Sequence, residues 1–214
     1  MGTPAVFLRL GGCNLKCVWC DTTEVWRRGK YVKVDDIASQ IAQKWGDKLR
    51  LGAHLVITGG EPLIKPYHQP LIEFLQTLTD LIETAIFVEV ETNATVAPSP
   101  ALDALIAHYN CSPKLRNSGM PEHLRITPDF LFFAYSPKAT FKFVVSCYED
   151  IAEILNDFVT PYTLNPNRIY LMPCADNLST LTELAPQVAE WAKQFGFRYS
   201  DRLQLRLWDR TTGV

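Results

Sequence analysis

The 214-residue sequence predicts an α/β fold built on a parallel sheet. Two observations predict it. Strand-like and helix-like segments alternate along the chain, an order that places helices outside a parallel sheet. The distinctive polar groups also fall just after the strands, at Asp21-Thr22, at 58–61, at Thr92-Asn93, at 112–114 and at Pro173. Parallel α/β folds bind ligands outside the carboxyl ends of their strands. One face of the sheet is therefore expected to gather these residues.

The elements follow in order. Residues 5–10 read as a strand that leads into a cysteine-bearing loop. Asp35 or Asp36 then caps a helix whose apolar stripe is Ile37, Ile41 and Trp45, at i, i+4 and i+8, with Gly46 and Gly52 bracketing its exit. A short apolar strand at 54–57 runs into Thr58-Gly59-Gly60-Glu61-Pro62. A second helix follows Pro66 and buries Leu71, Ile72, Phe74, Leu75 and Leu78. A third strand spans 86–91. Pro98 and Pro100 open a short helix through Ile106, and 109–111 form a brief strand. Residues 115–128, polar and rich in Pro, Asn and Gly, read as an irregular excursion that could serve as a mobile lid. A strand at 140–146, a helix at 150–158 and a strand at 168–172 come next. The helix at 179–195 carries Pro186, which predicts a kink or a later start. Residues 202–208 alternate basic or polar with apolar side chains and read as a last strand.

With 47% hydrophobic residues the chain can bury one sizeable core and is compatible with a single domain over 1–214. Its 21 basic and 23 acidic residues leave a net charge of −2, which gives no electrostatic ground for a nucleic-acid or membrane partner. No apolar run reaches transmembrane length and no secretory signal pattern opens the chain. A cytoplasmic location is expected. Of six cysteines, three crowd into one loop. A reducing compartment and metal ligation fit that distribution better than disulfides. Cys111, Cys147 and Cys174 read as small core residues.

Cys13, Cys17 and Cys20 stand at C-x3-C-x2-C spacing. Three thiolates from one short loop can hold a metal centre. With three ligands on a four-iron cluster, one iron stays open for a ligand. A structural zinc site is the bland alternative, but it needs a fourth ligand. His54, His68, His108 and His123 are isolated in the sequence. The Thr58-Gly59-Gly60-Glu61-Pro62 segment supplies glycines that let backbone approach a ligand, with a carboxylate beside them. Its bland alternative is an ordinary tight turn with an exposed Glu.

Together the two features resemble radical S-adenosylmethionine enzymes, which carry C-x3-C-x2-C after a first strand, an aromatic residue before the third cysteine (here Trp19), and Gly-Gly-Glu-Pro after a second. Residues 7–15 leading to Cys20-Asp21-Thr22, with Glu91-Thr92-Asn93, Ser112-Pro113-Lys114 and Met172-Pro173, resemble the 7-carboxy-7-deazaguanine synthases over nearly the whole chain. The resemblance implies an incomplete parallel β/α barrel of radical SAM type. It implies a [4Fe–4S] cluster on Cys13, Cys17 and Cys20, with S-adenosylmethionine chelating the open iron. Cofactor contacts would come from Trp19, Cys20, Asp21, Gly60, Glu61, Glu91, Asn93, Ser112, Pro113 and Lys114, and from Met172, Pro173, Cys174 and Ala175 near the adenine. Thr22 matches a magnesium (Mg2+) position, and Arg9 and Thr58 match substrate contacts. The implied reaction is a lyase-type radical ring contraction of 6-carboxy-5,6,7,8-tetrahydropterin to 7-carboxy-7-deazaguanine with loss of ammonia, in queuosine and related 7-deazapurine synthesis. An electron donor such as flavodoxin or ferredoxin and a homodimer are implied as well.

Each match has a plain alternative. Arg9 could be a surface ion-pair residue, Thr22 a cap, and the Ser-Pro-Lys triplet a turn, since it recurs at Ser136-Pro137-Lys138. The sequence also departs from the family. The Gln-Gly-Glu-Gly segment that relatives carry before the first strand is expected to be absent. A C-terminal Gln with a His-Lys pair behind it is replaced by Gln204-Leu205-Arg206, ahead of an extension at 209–214. Two other functions stay open at this point: an activase that installs a glycyl radical on a partner protein, and a non-enzymatic zinc-binding module.

Overall fold

The computed structural model describes residues 2–26 and 29–211. The chain forms two compact units, Met1–Asn14 with Thr22–Thr92 and Val96–Asn110, and Leu15–Asp21 with Asn93–Thr95 and Cys111–Val214.

In the first unit β1 (Ala5–Leu10), β2 (His54–Gly59), β3 (Val88–Thr92) and the start of β4 (His108–Cys111) stand side by side in chain order. β1 and β2 pair in parallel from Ala5 beside His54 to Leu10 beside Gly59. β2 and β3 are also parallel. The crossovers are α1 (Val34–Arg50), α2 (His68–Ile82) and α3 (Pro100–Asp103). Helix α2 buries Leu71, Phe74, Leu75, Leu78 and Ile82, a stripe at helical spacing, while Ile72 is only half-buried.

Helix α1 differs from expectation in detail. Lys33 is its N-cap and makes no side-chain cap bond, and Asp35 and Asp36 lie in the first turn, where they complement the positive end of the helix. Gly46 is inside the helix and buried. The buried line is Ala38, Ile41 and Leu49, and Ile37 and Trp45 flank it half-buried. At the amino-terminal side of the strands, His54 stacks on Phe87 with ring centroids 4.2 Å apart and hydrogen bonds Glu89. The Glu89 carboxylate also accepts from Asn110 Nδ2 at 2.5 Å. Burial pushes the Glu89 carboxyl up, but these hydrogen bonds outweigh it and hold the group below its usual range.

In the second unit β5 (Ala139–Val145), β6 (Ile169–Pro173) and the two-residue β7 (Arg198–Tyr199) pair in parallel. α4 (Glu122–Arg125) and α5 (Phe130–Tyr135) precede β5. α6 (Tyr148–Glu153), a π-wound stretch (Ile154–Val159) and α7 (Thr160–Tyr162) connect β5 to β6. Phe130, Phe141, Phe143 and Phe158 form the aromatic core, with centroids 5.1 to 5.6 Å apart along the chain of contacts. α8 (Leu178–Phe195) starts where Asn177 accepts from Thr180 N and runs on through Pro186, which lies on the exposed side.

The structure corrects three expectations here. Residues 202–208 are not a strand: β7 ends at Tyr199, and Leu203–Trp208 is a helix, α9. Of Leu203, Leu205 and Leu207, only Leu205 is buried, against Leu181 and Ala185. Cys147 is exposed and caps α6 rather than filling a core, and Cys174 is half-buried; Cys111 is fully buried as expected. Residues 115–128, expected to be irregular, contain a 3-10 turn (Arg116–Ser118) and α4, and are anchored. Glu153 accepts from the Arg116 amide with both oxygens at 3.0 Å and pairs with Arg125 at 2.6 Å. No helix among the described residues is long and apolar enough to cross a membrane.

Candidate active site

In the first unit, β1 delivers the cysteine loop and β2 delivers Gly59-Gly60-Glu61. A β-carbon on Gly60 would lie 2.0 Å from the Gly12 carbonyl oxygen, and one on Gly59 2.1 Å from that of Leu10. Gly59 also sits at φ +135°, which side chains rarely adopt. The close approach is sealed by Gly60 N–H donating to Leu10 O at 3.0 Å and Glu61 N–H to Gly12 O at 2.9 Å. Tyr67 Oη donates to Gly11 O at 2.5 Å from the far side of the turn. The glycines expected to face a ligand are thus required first by the backbone that leads into Cys13.

Glu61 is fully buried, against the bland reading of an exposed turn residue. Its Oε1 accepts from Leu63 N–H at 3.0 Å and from Thr92 Oγ1 at 2.7 Å, which ties the end of β3 to the turn after β2. Thr58 is buried and donates to Glu91 Oε2 at 2.7 Å. Arg9, exposed, stands beside Thr58 in the β1–β2 register. Arg9, Thr58 and Glu91 therefore form one row across the carboxyl ends of the first three strands. Thr22 is half-buried.

In the second unit the loop continues with Cys17 buried and Cys20 half-buried. Burial pushes the Cys17 thiol up, and the charge of Lys114 works against that shift. Residues 116–120, part of the excursion expected from the sequence, hold the loop. Val18 N–H donates to Ser118 O at 3.0 Å, and Trp19 Nε1 donates to Asn117 Oδ1 at 3.0 Å. Asn117 in turn donates to Val144 O and to Asp150 Oδ2. No signal in a polar stretch marked Asn117, because it acts through distant partners; Asp150 also accepts from the Ser146 and Cys147 amides at the start of α6. Lys114 Nζ donates to Ser112 Oγ at 2.9 Å and stands 5.3 Å from the centre of the Trp19 ring. That contact distinguishes the first Ser-Pro-Lys from the second, whose Ser136 carbonyl is taken by Arg168. Pro113, Met172 and Pro173 are buried, and Cys174 and Ala175 half-buried. Asn93 Oδ1 accepts from Thr95 N at 3.0 Å and Thr95 Oγ1 at 2.6 Å, in a turn whose buried Ala94 adopts φ +61°.

None of the six cysteines is in a disulfide. Among the described residues, no three His, Cys, Asp or Glu side chains converge as one metal ion requires. A single tetrahedral ion draws its thiolates to a common point. A four-iron cluster takes one thiolate per iron and spreads them by its own width. By the chemistry of the donor set, three soft thiolates on one loop suit the cluster.

The chain matches the Radical SAM superfamily over residues 8–112. Over its whole length it is 36% identical to the 7-carboxy-7-deazaguanine synthase of Pyrobaculum aerophilum and covers 90% of that protein. The chain belongs to the 7-carboxy-7-deazaguanine synthase family. The corresponding protein of Hyperthermus butylicus is 32% identical, over 95% of this chain and 84% of the relative. A crystal structure of QueE from Escherichia coli superposes with a TM-score of 0.61 at 26% identity, covering 94% of this chain and 86% of that one. The chain is thus an enzyme, a lyase with the α/β radical SAM fold. Membership in that superfamily implies a [4Fe–4S] cluster, S-adenosylmethionine, a small-molecule substrate and a reductant.

Proposed function

We propose that the chain is a 7-carboxy-7-deazaguanine synthase that contracts the ring of 6-carboxy-5,6,7,8-tetrahydropterin with loss of ammonia. The observation that carries this reading is identity at 36% along the entire chain. Cys13, Cys17 and Cys20 would hold the cluster. When bound, cluster and S-adenosylmethionine supply a radical strong enough to take a hydrogen atom from the substrate.

The chain's own residues hold and orient. Trp19, braced by Asn117 and Lys114, presents a flat wall beside Cys20. Glu61 and Thr92 fix the turn that carries Gly60, Glu91 is held by Thr58, and Asn93 by Thr95. Ser112, Pro113, Lys114, Met172, Pro173, Cys174 and Ala175 complete the cofactor surface. Arg9 and Thr58 would meet the substrate, because a guanidinium pairs well with a carboxylate or a pterin edge. The Thr22 hydroxyl would bind a magnesium ion, which takes oxygen ligands and keeps substrate oxygens among them. We further read the chain as one radical SAM domain acting in the cytoplasm as a homodimer. Flavodoxin or ferredoxin would be the reductant, with no nucleic-acid or membrane partner. The span 1–214 includes residues 1, 27–28 and 212–214, which lie outside the described residues.

The test is anaerobic turnover of cluster-loaded protein with the tetrahydropterin, a reductant and S-adenosylmethionine. Formation of 7-carboxy-7-deazaguanine, faster with magnesium, is expected. Cleavage of S-adenosylmethionine without that product would point to a different substrate, such as a protein that receives a glycyl radical. Zinc in place of iron and sulfide would overturn the radical chemistry.

A further inference from the structure

Arg202 belongs to no motif of the sequence, yet it joins two segments assigned to the cofactor. Its Nη2 donates to Asp21 Oδ2 at 3.0 Å, directly after Cys20. Its Nη1 points at Met172 Sδ at 3.9 Å. A thioether is a weak acceptor, and a guanidinium with a side chain only 11% exposed ordinarily fills its donors. Nε is enclosed and has no partner among the described residues. Nη1, whose recorded acceptor is that thioether alone, keeps the capacity to donate to a stronger incoming nitrogen or oxygen acceptor. The arginine is held firmly. It is the N-cap residue of α9, its amide donates to Asp201 Oδ1 at 3.0 Å, and Leu205 anchors the helix beneath it. The charge also reaches Cys174, whose thiol burial pushes up and Arg202 pulls down.

We propose that Arg202 is a binding residue for the adenosine end of S-adenosylmethionine, with Asp21 fixing the guanidinium while Nη1 donates to a nitrogen or oxygen acceptor of the nucleoside. This rests on the functional reading above, which sets Met172 to Ala175 against the cofactor. The surroundings suit such a ligand. A buried Met172-Pro173 wall offers apolar contact to a flat base, and one planar cation supplies the polar contact that orients it. Small-molecule sites commonly have this make-up, apolar walls with a few placed donors.

The test measures binding to the anaerobically cluster-loaded holoenzyme by titration calorimetry, with two probes. S-adenosylmethionine carries both the amino-acid end and the adenosine, whereas methionine carries the amino-acid end alone. Arg202→Gln is expected to weaken S-adenosylmethionine about tenfold or more, the usual scale for a lost charge-assisted bond, while methionine binding and the iron and sulfide content stay as in the parent. Arg202→Lys, which keeps the charge but not the fork, should lose affinity to a smaller degree and serves if the Gln variant does not fold. Unchanged S-adenosylmethionine affinity in both variants would overturn the proposal. So would an equal loss for methionine, because Arg202 would then act only through the cysteine loop. A parent holoenzyme that binds no S-adenosylmethionine would overturn the functional reading itself, and this proposal with it.

Discussion

Gly60 has no room for a side chain, since the space a β-carbon would take is occupied by the Gly12 carbonyl. Both neighbours are backbone, so neither can rotate away. Gly60→Ala is expected to cost about 3 kcal/mol or more, at the upper end of overpacking, and to lower iron retention by displacing the chain just before Cys13. Thermal unfolding with iron analysis checks both, and an unchanged midpoint would mean that the two turns do not depend on each other. The sequence marked Gly60 for ligand approach, and Glu61 with it. Both are special positions, but the partner that makes them special is another stretch of backbone 48 residues earlier, as Gly60 and Gly12 are numbered. Asn117 shows the reverse case. Its type and setting are ordinary, and only its hydrogen bonds to Trp19, Val144 and Asp150 give it a role.

Among the elements, the long crossovers and inner strands were legible because their apolar spacing is sustained. The stripe 71, 74, 75, 78, 82 on α2 can be nothing but one face of a helix. The C-terminal segment was not legible. Leu203, Leu205 and Leu207 alternate, which suits a strand, but three apolar residues are too few to separate the two periods. The parallel edge beside β6 is taken by Arg198 and Tyr199, and the following chain buries one leucine instead of a row. Leu205→Ala is therefore expected to cost about 2–4 kcal/mol and Leu207→Ala less than about 0.5 kcal/mol. Chemical denaturation of the two variants measures this. Equal losses would argue for a strand with all three side chains on one buried face.

For the whole molecule, most of the core lies apart from the three loop cysteines proposed as cluster ligands, of which Cys17 is itself buried. Cys13, Cys17 and Cys20 lie on one loop, while the buried mass is aliphatic in the first unit and phenylalanine-rich in the second. Small metal-dependent domains unfold when chelated because the ion replaces a core. Here chelation of the iron should abolish activity and leave the far-ultraviolet circular dichroism spectrum nearly unchanged. Loss of the helical signal on chelation would show that the cluster organises the fold.

The sequence by itself determined the fold class and the family, because each is written in local spacing: alternating periods, C-x3-C-x2-C, and glycines after a strand. The tertiary structure decided what those residues lean on. It turned the expected last strand into α9, made 116–120 the brace of the cysteine loop, and set Arg202 between Asp21 and Met172. The physical reason is range. A motif records which atoms must be near in the chain, whereas a hydrogen bond from residue 202 to residue 21 exists only once the chain has folded.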